Sequence, residues 1–126
     1  MLVVAPKGYQ PWKEVLAKLK NGHKKITITH NPKVSLSSVD VIYTDTWVSM
    51  GQEKEKQKRI ADFAGFQVNS ELLKSAPPDA KIMHCLPAYR GFEITDEAAE
   101  SANSIIFDQA ENRLHFQRAL LKKLMA

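Results

Sequence analysis

"VDVIYTDTWVSMG" (39–51) decides the fold: an apolar, β-branched run ends on Asp45, and the chain then turns at Gly51. Val39, Val41, Ile42 and Tyr43 suit a pleated strand, and a short, nearly continuous apolar run suits one buried on both faces, as in a parallel sheet. Working outward, similar runs predict strands over Leu2–Ala5, Lys25–His30, Lys81–Leu86 and Ser104–Asp108, with Val39–Asp45 as the third of five. Helical patterns lie between them. "PWKEVLAKLKNG" (11–22) sets Trp12, Val15, Leu16 and Leu19 on one face, with Pro11 as an opening and Asn21-Gly22 as a stop. "GQEKEKQKRIADFAG" (51–65) has a charged first half, then Ile60, Phe63 and Ala64, with Gly65 as C-cap and an i, i+4 pair of Glu55 and Arg59. From Glu111 to Met125, Leu114, Leu121, Leu124 and Met125 predict a terminal helix packed on the sheet. The alternation gives an α/β fold with a mostly parallel sheet of about five strands and right-handed crossovers.

The 126 residues are expected to form a single domain, 1–126. No run approaches the roughly 18 apolar residues that span a bilayer, and "MLVVAPKGYQ" is too short in its apolar part for a signal peptide. One cysteine cannot make an internal disulfide, so a cytoplasmic location is the expectation, with no membrane partner. The net charge of +4 raises a nucleic-acid reading. Against it, the lysines stand singly or among glutamates and do not interleave with aromatic residues that would stack on bases. Small anionic ligands, phosphate-bearing ones included, fit the mild positive excess equally well; no nucleic-acid partner is expected.

In parallel α/β sheets ligands bind beyond the carboxyl ends of the strands. That rule selects Asp45 with "TWVSMG" (46–51), and His84-Cys85-Leu86-Pro87. A Cys–His dyad is disfavoured because neighbouring side chains on a strand point to opposite faces. No second Cys or His stands at a ligand-like spacing from Cys85, so no metal is expected; His23, His30 and His115 are scattered. A buried cysteine acting as a small hydrophobe stays open, although a strand end followed by proline is where this fold exposes groups to ligand. Asp45 could hold an ammonium group with help from the Ser49 hydroxyl. Trp47 and Met50 fit packing and binding equally. Arg113 is either a surface residue or a cation near the start of the last helix that meets an anionic group.

Three stretches, in this order and spacing, closely resemble the ornithine carbamoyltransferase family: "DVIYTDTWVSMGQE" (40–53), "HCLPAYRGFEITDE" (84–97) and "FDQAENRLHFQRAL" (107–120). "APKGYQP" (5–11) and "DFAGFQVN" (62–69) agree, so the resemblance extends over essentially the whole chain. It implies a Rossmann-like domain and the joining of L-ornithine with carbamoyl phosphate to give citrulline and phosphate, with no metal or organic cofactor. Carried over by motif, Asp45, Ser49 and Met50 would bind ornithine. Cys85 and Leu86 would lie beside the reacting amine and carbamoyl group, and Arg113 would contact carbamoyl phosphate. An amine with a reference pKa of ~10.4 must lose a proton before it attacks. Asp45 and Cys85 are the implied proton-handling pair, with Cys85 positioning and not bonding covalently.

The chain departs from the family pattern in having no "STRTR"-type phosphate-binding loop and no "GDGNN" turn, and it begins at what resembles the second strand of the ornithine domain. The expected sheet is therefore incomplete, with a gap between the segments Leu2–Ala5 and Val39–Asp45. Direct pairing, exchange within a homo-oligomer, or marginal folding would each answer that gap. Without an electrostatic clamp on the phosphate, the chain alone is expected to be inactive, and carbamoyl phosphate to bind only when a complementary domain is supplied. The alternative reading is a non-catalytic, oligomerising or partner-binding remnant of the same fold.

Overall fold

The computed structural model describes residues 1–18 and 26–125. In chain order the elements are β1 (Leu2–Val4), α1 (Lys13–Lys18), β2 (Thr27–Thr29) and β3 (Val41–Thr44). A short 3-10 turn (Glu53–Glu55) leads into α2 (Lys56–Asp62), followed by α3 (Ser70–Leu73), β4 (Lys81–His84), α4 (Asp96–Ala99) and α5 (Ile106–Met125). The architecture is α/β with parallel strands, as the alternating pattern requires. The strands form two separate parallel pairs, β1 with β2 and β3 with β4. Leu2 stands opposite Thr27 and Val41 opposite Lys81, and among the described residues neither β1 nor β3 pairs on its second edge.

Direct pairing does not close the gap between β1 and β3. A cavity of about 150 Å³ lies there, lined by Leu2 and Val4 on one wall and by Val41, Ile42, Tyr43 and Thr44 on the other. The apolar run of β3 is consequently not buried on both faces: Val41 is 47% and Tyr43 56% exposed.

The core gathers on the other side, around β4. Val68, Ile82, Ile94, Ala98, Ala99 and Ile106 form one buried cluster, with Ile42, Leu73, Leu86 and Ala88 packed against it. Burying an isoleucine such as Ile82 or Ile94 contributes about 1.5–3 kcal/mol. The short helices around this cluster are set by side-chain caps. Asn69 Oδ1 accepts the Leu72 N–H at 2.9 Å to start α3, and Thr95 Oγ1 accepts the Ala98 N–H at 3.3 Å to start α4.

Several expectations are corrected. The strand expected over Ser104–Asp108 is a single parallel bridge between Ile82 and Ser104. Helix α5 takes over at Ile106, five residues before Glu111, since one side of β4 needs only the Ile82–Asn103 and Ile105–Ile82 hydrogen bonds to be satisfied there. Helix α5 does not pack along its length: Leu114, Leu121, Leu124 and Met125 are all more than half exposed, because the helix outruns the sheet after its first turn. Trp12, just before α1, and Val15 within it are exposed as well, whereas Leu19 and Asn21-Gly22 lie outside the described residues. Helix α2 stops at Asp62, before Ala64, and Gly65 follows with a φ of 90°. The Glu55–Arg59 pair forms, at 2.9 Å.

Candidate functional site

The parallel register of β3 and β4 ends with Thr44 opposite His84. One step further, Asp45 comes opposite Cys85, and both leave the sheet at its carboxyl rim. The Cys85 thiol donates to Asp45 Oδ1 at 2.8 Å, and the Thr46 N–H donates to the same oxygen at 2.7 Å. Burial pushes the Cys85 thiol above its ordinary value of 9.0, and the hydrogen bond and negative charge of Asp45 push it the same way. At neutral pH Cys85 is therefore a neutral thiol, the form that neither attacks a carbonyl nor ligates a metal. Asp45 is exposed, so its carboxylate stays open to a cationic ligand.

His84 turns the other way. Its side chain is fully buried and its Nε2 lies 3.2 Å from Glu93 Oε1. The imidazole does not reach the thiol, as strand alternation requires.

After Asp45 the chain turns under Trp47, which is 8% exposed and stacks between Phe63 and Phe92 at 5.6 and 6.4 Å. Trp47 thus packs. Met50 is 96% exposed, and Ser49 is exposed too. Gly51 has a φ of 85°, a region where a side chain is strained, and this lets the loop reverse into the 3-10 turn. The Gly51 N–H donates to Glu53 Oε1 at 3.0 Å, which holds the Glu53 carboxyl below its usual value. Ser49, Met50 and Glu53 share a cavity of about 100 Å³ with Lys56, Tyr89 and Phe92. The loop after β3 and the loop after β4 therefore wall the same recess.

Helix α5 is anchored at the rim. Gln109 Oε1 accepts the His84 N–H at 3.1 Å, while Gln109 Nε2 donates to the Tyr43 hydroxyl at 3.2 Å. Arg113 is four residues on, hence on the same helix face and about 6 Å further along the axis. It is exposed and, among the described residues, forms no salt bridge. Leu86, half-buried, follows Cys85 with a φ of 55° and precedes Pro87 through a cis peptide bond. Among the described residues no three His, Cys, Asp or Glu side chains cluster as a metal site, and no helix is long and apolar enough to cross a membrane.

Sequence reading passed over Glu93 and the role of Gln109. Glu93 is fully buried between Phe92 and Ile94 in the chain, and its only local signal is an acidic residue inside an apolar run. Its partner, His84, lies nine residues away, so no short-range spacing announces the pair.

The chain is thus a parallel α/β domain with a thiol–carboxylate pair at the carboxyl rim of β3 and β4. Residues 1–124 match the family described as aspartate/ornithine carbamoyltransferase, Asp/Orn binding domain, and the chain belongs to that family. It is 58% identical over 123 residues to an ornithine carbamoyltransferase of Methanosarcina acetivorans, a match covering 98% of this chain and 41% of the relative. Among solved structures, the ornithine carbamoyltransferase of Pyrococcus furiosus superposes with a TM-score of 0.84 at 46% identity, covering 95% of this chain and 40% of that one. The anabolic enzyme of Campylobacter jejuni gives 0.85 at 38% identity, over 98% of this chain and 43% of that one. The chain thus spans about two fifths of the length of these proteins.

Proposed function

We propose that this chain is the ornithine-binding part of an ornithine carbamoyltransferase, and that it makes citrulline only together with a part that binds carbamoyl phosphate. The observation that carries the reading is the 2.8 Å contact between Cys85 and Asp45 at the strand rim, beside the recess of Ser49 and Met50. Free ornithine presents ammonium groups at neutral pH, and a carboxylate open to solvent is their natural acceptor. Asp45, Ser49 and Met50 hold ornithine. Cys85 and Leu86 border the reacting amine and the carbamoyl group, and Arg113 meets the phosphate.

The reaction needs the amine as a free base. Its nitrogen forms a bond to the carbamoyl carbon, the C–O bond to phosphate breaks, and one amine proton leaves. Asp45 takes part in moving that proton, and the neutral Cys85 thiol orients the carboxylate by donating to it. No covalent enzyme intermediate is required. The charge that develops on the departing phosphate calls for a cationic clamp, and Arg113 alone is a weak one, so the isolated chain is proposed to be inactive.

Two measurements test this. Ornithine added to the 15N-labelled chain should shift the amide resonances of Asp45, Ser49 and Cys85. Citrulline should appear only when a carbamoyl-phosphate-binding domain of a relative is added with both substrates. A folded chain that shows neither response would sink the reading. The second edges of β1 and β3, unpaired among the described residues, favour a second reading, a partner-binding or self-associating module. It requires sedimentation to show an oligomer that forms regardless of ornithine.

A further inference from the structure

The buried pair behind the rim has a geometry that reaches the site. The Leu86 N–H donates to His84 Nδ1 at 2.8 Å. A nitrogen that accepts cannot carry the ring proton, so the neutral imidazole holds its proton on Nε2. That Nε2–H faces Glu93 Oε1 at 3.2 Å, and the same oxygen accepts the Tyr89 N–H. Both side chains are fully excluded from solvent, and among the described residues Glu93 Oε2 has no hydrogen-bond partner. Burying a carboxylate half-satisfied is costly, and such a group is retained where it sets something else in place. What it sets is the backbone at Leu86, whose φ of 55° is unfavourable for any residue with a Cβ.

We propose that Glu93 is a positioning residue: by fixing the tautomer of His84, it holds the Leu86 N–H and thereby the Cys85–Leu86 turn at the rim. His84 is then neither a base for Cys85 nor mere core filling. It is the link between a buried carboxylate and the main chain that borders the ligand. The identity of that ligand rests on the ornithine reading above; the linkage itself does not.

The test uses the whole chain labelled with 15N-histidine. Two-bond 1H–15N correlations should show His84 protonated on Nε2 alone. Finding the proton on Nδ1, or on both nitrogens, at neutral pH would overturn the proposal without any variant. Glu93→Gln keeps an acceptor oxygen and should preserve the tautomer and the Leu86 amide shift. Glu93→Met has similar bulk but no acceptor; it should release the tautomer, move the Leu86 amide resonance and change the rate of Cys85 alkylation by iodoacetamide several-fold. If Glu93→Met matches Glu93→Gln in all three readouts while the Ile82 and Ile94 methyl resonances stay native, Glu93 only fills space and the proposal fails. Ornithine that leaves the wild-type spectrum unchanged would defeat the functional reading alone, since none of these readouts needs a ligand.

Discussion

The two halves of the molecule treat apolar side chains in opposite ways. Around β4, short elements close over Val68, Ile82, Ile94 and Ile106 and leave them almost dry. Around β1 and along the outer part of α5, comparable residues stand in water: Trp12 at 77% exposure and Leu124 at 73%. Composition does not separate the halves. Coverage does, because β4 has β3 on one side and the Ser104 bridge on the other, whereas among the described residues β1 pairs only with β2. An apolar face is worth its transfer energy only where a second layer removes it from water. The Asp45–Cys85 rim belongs to the closed half, which explains how a binding geometry forms in a chain whose other half stays open.

The sharpest way to break this contrast is truncation on each side. Ile94→Ala should cost about 2–5 kcal/mol in urea denaturation, with Val4→Ala on β1 clearly cheaper. Equal costs would mean that the β1 side is as well packed as the β4 side.

At the rim, Asp45→Asn removes a charged acceptor worth about 1.5–3 kcal/mol and should weaken ornithine binding accordingly in a calorimetric titration. It should also lower the pH midpoint of Cys85 alkylation, because the negative charge that helps to raise the thiol disappears while burial remains. The linkage has a definite sign. The folded thiol holds its proton more tightly than the unfolded one, so its contribution is intact below the ordinary value of 9.0 and is lost as pH rises through the folded value. Asp45→Asn should therefore shrink the alkaline decline in stability.

A smaller effect is expected where the N-terminal segment is tied down. The Tyr9 hydroxyl donates to Asp62 Oδ2 at 2.7 Å, and its ring meets Phe63 edge-on at 4.7 Å. Tyr9→Phe keeps the ring contact and should cost about 0.5–1.5 kcal/mol, read from the urea midpoint. Smallest of all, Leu121→Gln on the exposed length of α5 should change the stability of the monomer by no more than about 0.5 kcal/mol. A large loss there would show that α5 is covered, and sedimentation of wild type and variant would show whether a second copy covers it.

Much of the closed half is legible in the sequence. The runs at 41–44 and 81–84 are strands, and their parallel alignment follows from a connection too long for a hairpin and containing helices. The rim residues follow from where those strands end. The open half misleads the same reasoning. Trp12 and Val15 fall on one helical face, and Leu114, Leu121 and Leu124 recur at helical spacing, but periodicity predicts only that a face exists. It carries no information on whether anything lies against it. The strand expected at Ser104–Asp108 fails for a related reason: β-branched and apolar residues at 105–107 satisfy a strand or a helix start equally, and the hydrogen bonds of Ile82 decide between them.

By itself, then, the sequence determined the alternation of elements, the parallel class, the family and the two residues that end β3 and β4, because local periodicity and motif spacing are properties of the chain alone. Tertiary structure decided which faces are buried, that the strands divide into two pairs, and that Glu93 reaches back through His84 to the Leu86 backbone. Those outcomes depend on which distant groups compete for one hydrogen bond or one patch of surface, and that competition exists only once the chain has folded.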